Sequence, residues 1–368
     1  MPVDKAARAQ SNATHDMLVR MDSSVIKPNQ KFSFVGLSTI PEDGLPDVVS
    51  LGAGVWAATQ LPVGLDGEWR KWIGSIRTER IEEDCNLFLC AAMGSDEPGV
   101  LDGENQTLNS IVTRLFDALP LTGNVQVNGT PILISGAMHG SDLGIRHLGD
   151  LTAPGIPGGV DYKEVSATML KESFILTEAR KVLEKSAKWD RLIRIFYIWS
   201  KALREQNTHE RLHQFCRCIE GLILPSAGNT TSQFVSRTEL FVGPREHKIM
   251  RRLYEMRSKT EHMHPYEYPD DMPERERRLE LMRMTALVQA LATYCIRQLL
   301  LTPAVWPHYA DFSSQEAFWK MDAAQERMIW GAPADLAALN AAFDPAMFSN
   351  EELGLPGPIG SRQDKGVK

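Results

Sequence analysis

Between Leu151 and Val160 the chain reads LTAPGIPGGV, two prolines and three glycines in ten residues. Proline lacks a backbone donor and glycine has no side chain to pack, so no helix or strand interior is expected there. Residues 151–160 therefore read as a linker, and the 368-residue chain must build a core on each side of it. The two sides differ in texture. From Phe32 to about Asp150, short apolar runs alternate with Gly and Pro, which predicts a mixed α/β domain over 31–150. Val48–Leu51 and Leu87–Ala92 are its predicted strands, and Leu108, Ile111, Val112, Leu115 and Leu119 mark a helix over Asn105–Leu119. Asn128-Gly129, lying between Val125–Val127 and Ile132–Ser135, predicts a hairpin. Gly52 and Gly54 lack the third glycine and following helix of a dinucleotide fingerprint, and read as a turn.

Beyond the linker, apolar residues recur at spacings of three and four. Predicted helices are Tyr162–Lys185, Asp190–Gln206, His209–Leu224, Ser232–Phe241, Arg245–Glu261 and Glu274–Leu301, with Pro225, Pro244, Pro265, Pro273 and Pro303 at or past their ends. Short connections between such helices predict an antiparallel all-α bundle over 161–302. C-terminal helices are expected over 303–345, including one over Ser313–Trp330. Residues 1–30 and 346–368 have too few large apolar groups to offset the entropy of ordering and are expected to be disordered tails. The fold class is α+β.

The net charge is −7, but residues 161–302 carry 24 Lys and Arg against 19 Asp and Glu, leaving 16 against 28 elsewhere. The helical block is therefore locally basic, which keeps a nucleic-acid partner open or simply reflects Lys and Arg coating helices. Cys85, Cys90, Cys216, Cys218 and Cys295 form no CxxC pair, and no apolar leader opens the sequence, so a reducing cytoplasm is expected. The longest apolar run, Thr285–Ile296, is about half a bilayer span, so no membrane helix is expected.

The segment RRLYEMRSKTEHMHPY, Arg251–Tyr266, holds an oddity. On a wheel of about 100° per residue with Ile249 at zero, Leu253 falls near 40°, Met256 near 340°, Met250 near 100° and Arg257 near 80°. Arginine thus sits in the apolar stripe. A guanidinium keeps its proton, so it needs a carboxylate or a phosphate there. Glu220 lies at the border of the stripe formed by Leu212, Phe215, Cys216, Ile219 and Ile223, and is the expected internal partner. His262 follows five residues later, about 140° around the helix. The two side chains converge only if the helix loosens near Glu261–Met263, or if two copies meet about a dyad. Either route sets an imidazole that exchanges protons near neutral pH beside a fixed cation suited to a phosphodiester.

At these residues the chain resembles the HEPN superfamily, and within it the Apea-like branch. The signature is Arg, four to six variable residues, then His, here Arg257-Ser258-Lys259-Thr260-Glu261-His262. LYEMRSKTEH is similar to the branch's Leu-Tyr-x-x-Arg-Ser-x-x-x-His run, and FCRCIEGLILP to its earlier helix bearing an acidic residue. The resemblance covers about residues 188–302, with Met263 where many relatives have Gly and a long acidic loop over 264–273. It implies a HEPN-type helical bundle following the α/β domain, and a metal-independent endoribonuclease working as a homodimer in which arginines and histidines line one cleft. His262 would move the proton and Arg257 would stabilise the phosphate charge, with Ser258, Glu261, Glu220 and His264 in support. Products would end in 2′,3′-cyclic phosphate and 5′-hydroxyl. Family members commonly act as toxins or phage-defence effectors, controlled by a regulatory or antitoxin partner.

A competing reading is a non-catalytic bundle that binds RNA, nucleotide or protein as an assembly module. His262 and His264 could share a metal only from an extended segment, and Cys216 with Cys218 supplies no four-ligand set, so neither metal nor cofactor is expected. The strings G-x-S-x-G and G-x-x-x-x-G-K-[ST] do not occur. Trp56, Trp69 and Trp72 read as core or rim packing or, in a sensor role, as a recognition surface.

Overall fold

β1 (Gln30–Ser38), QKFSFVGLS, is buried along nearly its whole length. Side chains alternate across a strand, so Phe32 and Phe34 serve one face while Ser33, Val35 and Leu37 serve the other. Such a strand belongs inside a sheet covered on both sides. β2 (Val48–Gly52), β3 (Val55–Ala58), β4 (Leu87–Gly94), β5 (Asn128–His139) and β6 (Asp142–Asp150) complete a six-stranded antiparallel sheet in the order β2-β3-β4-β1-β5-β6. The structure, a computed structural model, describes residues 26–97, 103–226, 228–268 and 271–355.

The sheet's two faces have separate cores. α1 (Gly67–Ile73), α2 (Ser75–Glu79) and a π-helical turn at Arg80–Asp84 supply Ile73 and Ile81 to the face holding Phe32, Phe34, Trp56 and Phe88. α3 (Gly103–Ala118) lays Leu108, Val112, Leu115 and Phe116 against Val35, Leu37, Leu87 and Leu89 on the other. Gly52 and Gly54 flank the turn from β2 to β3. Trp56 is buried, Trp69 Nε1 donates to the Leu143 carbonyl at 2.9 Å, and Trp72 is exposed.

The hairpin expected across Asn128-Gly129 does not form. Both residues belong to β5, whose two-residue turn to β6 is Gly140-Ser141. Gly129 does adopt a positive φ of 65°, but next to the point where the β1–β5 register shifts between Gly36 and Ser38. It serves an irregularity in the ladder, and Gly140, at φ 59°, serves the turn.

The expected linker is divided between two compact units. Residues up to 153 together with 162–177 form the first, and residues 154–161 together with 178 onward form the second. Lys163 N donates to Asn124 O and Val165 N to Ile40 O, so residues 162–166 are held against the first unit and the helix expected from Tyr162 begins later, as α4 (Ala167–Glu184).

In the second unit α5 (Asp190–Arg204) buries Leu192, Ile195, Phe196, Trp199 and Leu203. α6 (Thr208–Ile223) is the central helix and packs against α5, α7 (Thr230–Arg237), α9 (His247–Glu261) and α10 (Glu274–Leu301), with the one-turn α8 (Glu239–Val242) between α7 and α9. Thus the helix expected over Ser232–Phe241 is two pieces. α10 is the one helix among the described residues long and apolar enough to cross a membrane; 67% of its apolar window is buried within the structure. The helix expected over Ser313–Trp330 is also divided, into α11 (Phe312–Phe318) and α12 (Ala323–Trp330), because the Asp322 side chain caps α12 by accepting from Ala324 N and Gln325 N. α13 (Leu336–Ala341) follows.

Residues 26–30 and 346–355, expected within disordered tails, are packed. Ile26 is buried and Gln30 opens β1, while residues 1–25 and 356–368 lie outside the described residues. Residues 346–355 are packed: Arg275 donates to Asn350 Oδ1 at 2.7 Å and to the Phe348 carbonyl at 2.8 Å, and Leu353 is buried.

Candidate functional site

α6 and α9 supply the site. On α6, His213 and Glu220 are seven residues apart, two helical turns, and so share a face. On α9, Arg257 and Glu261 are four apart and share another. Arg257 Nη2 lies 2.9 Å from Glu220 Oε2 and 2.9 Å from Glu261 Oε2. The same Glu261 oxygen lies 2.8 Å from His213 Nε2. One guanidinium and one imidazole thus hold two carboxylates in a continuous chain. The Arg257 and Glu220 side chains are 16% and 14% exposed and Glu261 is 41% exposed, so the inner pair is fixed and the outer carboxylate faces solvent. Arg257 Nε is buried without a hydrogen-bond partner.

Burial pushes the Glu220 carboxyl above its ordinary value, against the pull of Arg257. Glu261 is held below its ordinary value, first by the hydrogen bond from His213 and, beyond that, by the charge of Arg257. The environments of the two carboxylates therefore oppose each other across one cation. All five cysteines are free and buried. Burial raises their pKa values, that of Cys85 to about 11, so none supplies a thiolate at neutral pH.

His262 stands apart from this chain of contacts. Its backbone N–H donates to the Ser258 carbonyl at 3.0 Å, so the helical register persists through it. The break comes one residue later. Met263 N donates to Thr260 O and His264 N to Lys259 O, with Met263 at φ 54°, which closes α9 with the paired bonds of a left-handed cap. The 140° offset of His262 from Arg257 is thus kept, and the two side chains do not meet. Ser258 is half-buried, and His262 and His264 are exposed, with ring centroids 5.9 Å apart.

His213 was not among the residues singled out by sequence. Two signals were available: its place seven residues before Glu220, and the string His209-Glu210-Arg211-Leu212-His213, an H-E-x-x-H spacing that puts two histidines on one face of α6. Among the described residues no group of three or more His, Cys, Asp or Glu is placed to hold a metal ion, and His213 Nε2 is engaged by Glu261. Two clefts, of about 550 and 600 Å³, open on the same unit. Neither is lined by Arg257 or His262. Comparison with protein-family models, curated proteins and solved structures finds no match for this chain.

Proposed function

We propose that the helical unit is a HEPN-like, metal-independent endoribonuclease, working as a homodimer in the cytoplasm as a toxin or phage-defence effector under a regulatory partner. The observation that carries this reading is the end of α9. A guanidinium anchored by a mostly buried carboxylate stands five residues, one turn and about 140°, before an exposed imidazole, in the residue order that resembles the family's signature. Because α9 stays regular through His262, a single chain cannot aim both groups at one phosphate. A dyad pooling Arg257 of one copy with His262 of another can.

In that cleft His262 takes the proton from the ribose 2′-hydroxyl, whose oxygen attacks phosphorus. The 5′-oxygen leaves and takes up a proton in turn. Arg257 stabilises the charge on the phosphate, and the solvent-facing Glu261 is the carboxylate that substrate displaces from Nη2 while Glu220 remains. Ser258 and His264 line the same helix end. DNA, lacking the nucleophile, resists cleavage.

The test is incubation of wild type and His262→Ala with mixed RNAs in EDTA, mapping of product ends, and light scattering on the same samples. Expected are dimers, cyclic-phosphate ends, and cleavage slowed roughly 10²–10⁴-fold in the variant with folding unchanged. A requirement for divalent metal, 5′-phosphate ends, or an equally active variant would refute the mechanism. A second reading, a non-catalytic assembly module, is favoured by the saturation of Arg257 Nη2 with two carboxylates, the pattern of a purely structural bridge.

A further inference from the structure

The 600 Å³ cleft lies beside the Arg257 network and has its own chemistry. The loop that follows α9 turns Tyr266 and Tyr268 toward α6 and α10. Tyr266 stacks on His209 with centroids 4.2 Å apart and planes 23° from parallel, and its hydroxyl is hydrogen-bonded to Thr260 Oγ1. Tyr268 continues the series at 6.5 Å and 29°. The guanidinium carbons of Arg252 and Arg277 lie 5.7 and 5.8 Å from the Tyr268 ring centre. Arg277 and Arg278, from the first turns of α10, also line the cleft, as do the apolar Leu281 and Leu353 and two carboxylates, Glu352 and Glu274, the latter paired with Arg278 Nε at 2.9 Å.

Three near-parallel rings, two guanidiniums and an apolar floor make a surface for a flat heteroaromatic ring carrying an anionic arm. A cleft of this volume falls within the roughly 300–1,000 Å³ usual for small-ligand sites. Its position adds to the argument. His209 precedes His213 by four residues, about 6 Å along α6, and Thr260 adjoins Glu261. We infer that this cleft binds a nucleobase of single-stranded RNA, stacked against Tyr266 and Tyr268 with its phosphate toward Arg277 and Arg278. The inference rests on the ribonuclease reading for the source of the base, and makes the cleft a specificity site next to the reacting groups.

The experiment is calorimetric titration of the full chain, in a His262→Ala background that spares the probe, with AMP, ribose 5-phosphate and the trinucleotide ApApA. Expected is binding of AMP and tighter binding of ApApA, with ribose 5-phosphate at least tenfold weaker than AMP. Tyr268→Ala should weaken AMP at least about fivefold, the lower bound for one lost base stack, and Tyr268→Trp should retain it. As a readout that needs no variant at the cleft, 5-iodouridine RNA should crosslink on irradiation to the peptide bearing Tyr266 and Tyr268. Equal binding of AMP and ribose 5-phosphate, no saturation by any probe at millimolar concentration, or crosslinks confined to other peptides would overturn the proposal. AMP bound as tightly as ApApA would overturn its assignment to an RNA strand. None of these readouts needs cleavage, so an inactive wild-type enzyme would sink the ribonuclease reading without deciding the cleft.

Discussion

Arg257 and Glu220 are mostly buried, and the cost of desolvating both is offset only while they face each other. Arg257→Met should therefore destabilise the unit by roughly 3–5 kcal/mol, since it strands a buried carboxylate, whereas Arg257→Met with Glu220→Leu should recover most of the loss. Urea midpoints of the singles and the double decide it, and a double as unstable as the single would contradict a coupled pair. The two carboxylates also give opposite pH signatures. Glu261, held below 4.5, contributes stability that is fully present above 4.5 and is lost as pH falls through its folded value. Glu220, raised above 4.5, makes the folded state the better proton binder, so stability declines as pH climbs from 4.5 through its folded value. Stability curves from about pH 3 to 7 should lose the acid-side decline in Glu261→Gln and the neutral-side decline in Glu220→Gln. At this scale the helical wheel located Arg257 and its partner because both lie on stripes of large apolar residues. It passed over His213, and the His209-Glu210-Arg211-Leu212-His213 string that contains it, since a wheel of apolar residues gives no weight to histidines beside the stripe.

The C-terminus of α6 ends inside its unit, where its last carbonyls have no helical partners. Side chains from three directions satisfy them: Arg191 and Gln315 donate to Gly221 O, Gln315 and Trp319 to Leu222 O, and Arg237 to Ile223 O and Leu224 O at 2.7 and 2.6 Å. Leu224 closes the helix at φ 49°, a conformation that disfavours a branched side chain. Arg237→Met should cost about 1–3 kcal/mol and speed amide exchange in the last turn of α6, because it leaves two carbonyls short of a donor. Unchanged exchange there would mean that water replaces the guanidinium freely. Elements like α5, α6, α9 and α10 were readable because each has a long apolar stripe. The Asn128-Gly129 hairpin was misread because that dipeptide signals a positive φ, and a bulge inside a strand needs one as much as a turn does. The break between α11 and α12 was missed because the Asp322 cap interrupts a periodicity that runs on across it.

For the molecule as a whole, the composition break at 151–160 located a boundary but not its path. Pro154–Asp161 is bound into the helical unit: Arg211 Nη2 donates to the Gly155 carbonyl at 2.5 Å, Gly159 O accepts from Asp344 N, and Val160 packs with Ala286 and Phe343. No local pattern in ten residues of Pro and Gly announces partners 50 to 190 positions away. A Cβ at Gly155 would lie 2.1 Å from Arg211 Nη2. Gly155→Val should accordingly raise hydrogen exchange in 154–161 and 203–211 while leaving residues 30–150 protected, and a uniform rise across the chain would show that the two units do not open separately. The same path sets an order of events at the ribosome. Residues 154–161 emerge before 162–177, yet belong with helices still unmade, while 162–177 complete a sheet unit whose strands are already out. The amino-terminal unit can therefore close as soon as residue 177 is free, with the strap waiting as a loop between its parts. A nascent chain that stalls after that point carries a finished sheet unit and a Pro/Gly segment with nothing yet to hold.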